Sequence, residues 1–247
     1  MRRQLTTVVI AGSMLLACSA TALAGATERP RVADATRGIA FADPAIRPLA
    51  DAVAAGKVAR IRELAPHSNL AARGDQDVTL LEWAIWNRRP RALAALLEAG
   101  ADPSLPGMDG ETVVHMAAMI EDPTYLEILL AHGAPVDEIR QGNGWTPLFR
   151  AVLHRRHAQR EALVAAGADI NHRDSTGRGL LHLAADDSAT VLRLLELGVD
   201  PQARDNTGAT FQRTFFRAPE RVLSDKARAN RDRVRAWLRA RGIAPEG

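Results

Sequence analysis

One pattern recurs along this chain at a nearly constant period. Thr79, Thr112 and Thr146 stand 33 and then 34 residues apart, and a glycine follows each of them 21 residues later: Gly100, Gly133 and Gly167. The segments that close the units read LLEAGADPS (96–104), LLAHGAPVD (129–137), LVAAGADIN (163–171) and LLELGVDPQ (194–202). Those that open them read DGETVVHMAA (109–118), NGWTPLFRAV (143–152), TGRGLLHLAA (176–185) and TGATFQRTFF (207–216). A period of this length marks a stacked array, in which each unit buries its apolar face only against its neighbours. Such a chain builds a row of small interfaces and not one central core.

The residue types explain themselves as pairs of helices. Threonine at the start of a first helix can cap free N–H groups. Pro147 in a first turn has no N–H to lose there. The alanine pairs Ala117–Ala118 and Ala184–Ala185 let neighbouring helices approach closely. The leucine pairs belong to the second helix of each unit. Gly100, Gly133, Gly167 and Gly198 are expected to end that helix in the left-handed region. The Asp, Asn and Gly clusters that follow make projecting turns. Trp83, between a capping threonine and Ala84, is assigned to the core. The unit at 176–202 is two residues short, since Gly179 to Gly198 spans 19, and the loss is placed at the turn between its helices.

These motifs resemble the ankyrin repeat, which opens Gly-x-Thr-Pro-Leu-His-x-Ala-Ala and closes Leu-Leu-x-x-Gly-Ala-Asp. The resemblance covers roughly residues 46–241. Only Thr146-Pro147-Leu148 is an intact Thr-Pro-Leu, and only His115 and His182 fill the histidine position. It implies an all-α solenoid of helix-turn-helix units with projecting turns. Repeats are expected at 76–108, 109–142, 143–175 and 176–204. Residues 43–75 read as an N-terminal cap repeat, with Leu49, Ala52, Val53, Ile61 and Leu64 at helical spacing. Residues 205–247 read as a C-terminal cap repeat. Its long basic helix, Ser224 to Arg241, turns Val234, Trp237 and Leu238 inward. Residues 25–42 read as a tether.

The N-terminus reads as an export signal. Arg2 and Arg3 precede an uncharged apolar run, Leu5 to Ala17, that is short for a membrane span. Ala22-Leu23-Ala24 fits a cleavage site, which makes 1–24 a signal peptide. Leu15-Leu16-Ala17-Cys18 resembles a lipoprotein signal instead, which would end the leader at 17 and lipidate Cys18. An uncleaved anchor is a third reading. All three put the body outside the cytoplasm, in the periplasm, soluble or held to a membrane through Cys18. Cys18 is the only cysteine, so the body has no disulfide and relies on packing.

The formal charge of +3 conceals an asymmetry. Residues 74–216 carry a net −7, residues 217–247 a net +5 and residues 25–73 a net +3. The basic isoelectric point is therefore no sign of a nucleic-acid partner. Aromatic residues make up only 4% of the chain, so the packing must come from many small helix contacts. Arg228, Arg231, Arg235 and Arg239 share a helical face, read as a solvated outer surface.

Ankyrin arrays bind through a concave face made of the projecting turns and the edges of the first helices. By position, the resemblance places there the turn residues Gln76, Val78, Met108, Asp109, Glu111, Asn143, Trp145, Ser175, Thr176 and Arg178. It also places there Trp86 and Asn87, Met119 and Ile120, Leu153 and His154, and Asp186 and Asp187 from the first helices. Trp86, Met119, Ile120 and Leu153 should form a continuous apolar strip, with Trp145 beside it. Such a patch, rimmed by charge, suits a protein partner.

Nothing in the sequence argues for an enzyme or a cofactor. His115 and His182 match the repeat's structural histidine, expected to bond to backbone and the capping threonine. His154 and His157 lack further metal ligands. Adjacent Asp186 and Asp187 make a poor acid–base couple. There is no phosphate loop, nucleophile elbow or zinc-protease motif. Small exported bacterial proteins of this family include immunity proteins that neutralise a toxin delivered into the periplasm, such as a type VI lipase effector, and others that accompany catalases. FADPAIRPLADAVAAGKVARIREL and VTLLEWAIWNRRPRALAALLEAGADP are more similar to the immunity kind. The resemblance thus implies a chain, monomeric when free, that captures a secreted toxin or effector. A lipid-anchored envelope scaffold is the alternative.

Overall fold

A computed structural model describes residues 41–246. The expected leader, Cys18 and nearly all of the expected tether lie outside them. Among the described residues, twelve α-helices stack as six antiparallel pairs. The pairs are α1 (Arg47–Ala55) with α2 (Val58–Leu64), α3 (Leu80–Trp86) with α4 (Pro90–Glu98), and α5 (Val113–Met119) with α6 (Thr124–Ala131). Then come α7 (Pro147–Leu153) with α8 (His157–Ala165), α9 (Leu180–Leu183) with α10 (Ser188–Glu196), and α11 (Gln212–Phe215) with α12 (Asp225–Arg239). The described residues hold no strand beyond an isolated bridge between Arg73 and Thr79. This is the ankyrin-repeat solenoid that the resemblance implies.

Helices of four to nine residues are too short to persist alone in water. Side chains buried between units hold them. Leu93 and Leu96 of α4, Leu126 and Leu129 of α6, Leu163 of α8, and Leu194 and Leu195 of α10 are buried. Ala84, Ala117, Ala118, Ala151 and Ala184 are buried too, which lets the first helices lie close together. Gly100, Gly133, Gly167 and Gly198 take φ between 72° and 92°, as the stop of each second helix requires.

Polar bridges join one unit to the next. In α5 the N–H of Thr112 donates to His115 Nδ1 (3.2 Å), which leaves Nε2–H to donate to the carbonyl of Trp145 (3.1 Å). His182 repeats this with the N–H of Gly179 and the carbonyl of Ala209. Glu82 fills the same position in α3 with reversed polarity. Its carboxylate accepts from the N–H of Thr79 (2.8 Å) and the N–H of Met108 (3.2 Å) in the next unit. Gly107 lies against this carboxylate, and a Cβ there would collide with it. Burial holds the Glu82 carboxyl above its ordinary value, while the bonds from Thr79 and Met108 pull it down. Burial holds His115 below its ordinary value. In α7 the position belongs to Phe149, so Thr146 Oγ1 is buried without a hydrogen-bond partner.

Several expectations need correction. Phe41, placed in the tether, is buried and meets Trp83 edge-on with centroids 6.1 Å apart. Trp83 is core, as expected, and its Nε1–H donates to the carbonyl of Ala50 (3.1 Å). The two missing residues of the fourth unit shorten its first helix and not the turn. α9 has four residues where α3, α5 and α7 have seven, and Ala184 and Ala185 lie past its end. The arginine face of α12 is not all solvated. Arg231 is 4% exposed and donates to the carbonyls of Phe215 (3.0 Å) and Ala218 (2.6 Å). The reason is periodic: Arg231 stands three residues before Val234 and seven before Leu238, on the inward stripe.

Two measurements test this account. Thr79→Val should cost about 1 kcal/mol in urea denaturation, because the Thr79 hydroxyl caps α3 through Glu82 N–H (3.0 Å), whereas Thr146→Val should be close to neutral. Glu82 binds its proton more tightly folded than unfolded, so its contribution is present below pH 4.5 and lost as pH rises through its raised value. Glu82→Gln should therefore lose less stability than wild type between pH 4.5 and neutral pH.

Candidate functional site

The turn residues and the first-helix residues expected on one face lie at opposite ends of the first helices. Trp145 precedes the N-terminus of α7 and Leu153 ends it, roughly 10 Å away along a seven-residue helix. Trp145 therefore does not stand beside the apolar strip. It is half-buried, donates its indole N–H to Asp174 (3.3 Å), and lies under Arg150, whose guanidinium carbon is 5.2 Å from the ring centroid.

Around Trp145 the turns are tied together by polar bonds. Glu111, expected at the surface, is 6% exposed. Its carboxylate takes the Arg150 guanidinium, with Arg150 Nε at 2.9 Å, and Arg140 Nε approaches to 3.3 Å. Two cations offset the cost of burying one carboxylate, so Glu111 braces the array and presents nothing to a partner. Val78 is also fully buried. Arg140 donates to the carbonyl of Asp109, and the N–H of Ser175 donates to the carbonyl of Asn143. Met108 is half-buried, and Asn143 Oδ1 accepts the N–H of Trp145. Gln76, Asp109, Ser175, Thr176 and Arg178 remain exposed on the turns. Thr176 donates its hydroxyl to Asp174, and Arg178 reaches the carbonyl of His182.

At the other end of the first helices the structure brings Trp86, Met119 and Ile120 into one groove of about 850 Å³ between the second and third helix pairs. Trp86 is 38% exposed, and Met119 and Ile120 are half-buried. Ile85, Pro90, Met116 and Tyr125 complete the apolar lining, and Arg88, Glu121 and Asp122 rim it. Met116 was missed in the sequence, although Trp83, Met116, Arg150 and Leu183 recur at the same period. The first three lie three residues before Trp86, Met119 and Leu153, hence on the same helix faces.

The expected strip is not continuous. Leu153 is 41% exposed but lines a separate cleft of about 190 Å³ with Leu183, Arg155, Asp186 and Asp187. Between groove and cleft, Arg156 donates to the carbonyl of Met119 (2.8 Å) and Gln159 to that of Ile120 (2.8 Å). These bonds seat the α5–α6 turn on α8. Asn87 donates its amide to the carbonyl of Trp83, and His154 is exposed at the end of α7. Asp187 proves to be the cap of α10, accepting from the N–H of Ala189 and of Thr190. Asp186 is exposed and pairs with Arg155 at 3.1 Å.

Among the described residues no group of three or more His, Cys, Asp or Glu is placed to hold a metal. His115 and His182 are consumed in the inter-unit bridges, and His157 lies 3.2 Å from Arg160. No described helix is long and apolar enough to cross a membrane.

Comparison with known proteins agrees with this architecture. A family model of ankyrin repeats, in three copies, matches residues 101–174. Protein PhlB of Serratia liquefaciens is 46% identical over 137 residues, 56% of this chain. The match spans 60% of PhlB's own length. The solved ankyrin repeat domain of Bcl-3 superposes with a TM-score of 0.66 at 25% identity, covering 78% of this chain and 85% of that one. A chain of the complex of the predatory endopeptidase Bd0816 from Bdellovibrio bacteriovorus with immunity protein Bd3460 superposes at 0.60 and 23% identity, covering 78% and 97%. With the period in the sequence, the stacked helix pairs and these likenesses in agreement, the chain has the ankyrin-repeat fold, and residues 101–174 match the ankyrin-repeat family.

Proposed function

We propose that this chain captures a protein partner at the groove of Trp86, Met119 and Ile120, and that it does so in the periplasm as an immunity protein against a toxin or lipase effector. Ankyrin repeats are interaction scaffolds, and that fold is typically not an enzyme. The observation that carries the reading is the groove itself. An indole and two further apolar side chains stay partly open to solvent and come together in this one groove, whereas the exposed Ile139, Leu153 and Val222 lie outside it. Tryptophan and methionine are common anchors at protein interfaces, and a charged rim around an apolar centre is the usual anatomy. A groove of this kind also suits occlusion of the apolar entrance of a lipase.

The immunity role draws support from the segments around residues 41–64 and 78–103 and from the fold it shares with a complex that contains an immunity protein. Export rests on the charge and hydropathy of residues 1–24. Palmitate labelling abolished by Cys18→Ala would assign the lipid-anchored form, and unlabelled protein starting after Ala24 the cleaved one.

The test is co-purification with, and inhibition of, the effector encoded beside this gene. Trp86→Glu should weaken capture at least about tenfold with the far-ultraviolet circular dichroism unchanged. An effector that is neither bound nor inhibited would remove the immunity role.

A further inference from the structure

From the second to the fifth helix pair, the turns between first and second helices alternate in charge. They carry Arg88 and Arg89, then Glu121 and Asp122, then Arg155 and Arg156, then Asp186 and Asp187. The second arginine of each basic turn has an internal task. Arg89 donates to the carbonyl of Ala54 (2.8 Å) and Arg156 to that of Met119 (2.8 Å), each at the end of the preceding first helix. The first arginine of each pair differs between the two turns. Arg155 closes on the acidic turn beside it, 3.1 Å from Asp186 and 3.9 Å from Asp187, across the cleft of about 190 Å³. The guanidinium of Arg88 makes no hydrogen bond or ion pair among the described residues. Arg88 lines the 850 Å³ groove from one turn and Glu121 and Asp122 from the next, and no ion pair joins them.

The backbone sharpens the contrast. Arg88 and Arg155 both take the left-handed conformation, with φ of 56° and 55°, where glycine or asparagine would be less strained. The same backbone bonds close both turns, from Arg88 N–H to the carbonyl of Ile85 (2.9 Å) and from Arg155 N–H to that of Val152 (3.0 Å). Only Arg155 adds side-chain ion pairs with the next turn. Asp122 accepts from the N–H of Thr124 (3.0 Å), which fixes it at the start of α6, and the side chain of Glu121 is free among the described residues.

We propose that the groove recognises a protein segment that places apolar side chains between one acidic residue, facing Arg88, and one basic residue, facing Glu121 and Asp122. The inference rests on the reading of the groove as a partner site and adds the polarity of the partner. The occupant supplies from outside the pairing that the third and fourth turns make between themselves. It enters in one orientation, because the reversed segment would set like charges against both walls.

The probe is a displayed library of short random peptides panned on the full chain. Enriched peptides should carry apolar residues flanked by opposite charges in a single order. Trp86→Glu should weaken them about thirtyfold. Arg88→Gly should weaken them about two- to fivefold while raising the thermal unfolding midpoint, since glycine relieves the left-handed strain. The double variant Arg88→Glu with Glu121→Arg, which leaves Asp122 in place to start α6, should enrich peptides of the reversed order. Peptides that need Trp86 but show no charge order, or ignore the exchange, would overturn the polarity and leave the groove as a partner site. Peptides indifferent to Trp86 would overturn both. An Arg88→Gly protein that melts lower than wild type would also sink the proposal, because Arg88 would then serve the fold.

Discussion

Three of the first helices, α3, α5 and α9, hold the next unit through one side chain, three residues after the residue that precedes the helix. His115 and Glu82 both reach from that position to the backbone of the next projecting turn, in opposite senses. The histidine gives a proton to the carbonyl of Trp145, and the carboxylate takes one from the N–H of Met108. In an array of helices this short such directional bonds fix the register, because leucine and alanine packing sets distance but not register. The bond must therefore match the polarity of whatever group the neighbouring turn offers. A change from histidine to glutamate at this position requires the next turn to present a donor instead of an acceptor, and Gly107 lets the backbone come close enough to do so.

The third unit shows what happens when that side chain is lost. Phe149 fills the position with bulk and leaves the Thr146 hydroxyl without a hydrogen-bond partner. The link is rebuilt from other residues. His172 reaches back to the carbonyl of Gly144 (2.7 Å) with its ring edge-on to Phe149, centroids 5.7 Å apart. The Glu111–Arg150 pair and the Trp145–Asp174 bond brace the same place. Buried ion pairs add little net stability against apolar packing of equal volume, but they admit few alternative registers. Here they sit where the repeat's own polar bridge is missing.

Closure of the array leaves unequal openings between its turns. Where Arg155 meets the acidic turn beside it the cleft is small. Where Arg156 and Gln159 bond the carbonyls of the α5–α6 turn, the space between units is filled. Between α3 and α5 neither device operates, and Trp86, Met119 and Ile120 line the space that stays open. This groove is thus a local departure from the packing between the neighbouring units.

The number of units, the helix pairs, the glycine stops and the inward stripe of α12 were legible in the sequence, because period and residue type express backbone geometry directly. So was the core position of Trp83, and so were the internal tasks of His115 and His182. The residues that misled were those whose role depends on a partner more than ten residues away, on another element. Glu111 is a surface residue by its turn position and a buried one through Arg150. Arg231 is a charge by type and part of the inward stripe through the carbonyls of Phe215 and Ala218. Phe41 belongs to the core only because Trp83 stands over it. Periodicity assigns a side chain to a face of its own helix. Only the tertiary structure decides whether that face is bridged, filled or left open by the next unit, because that depends on distances between side chains that no local pattern encodes.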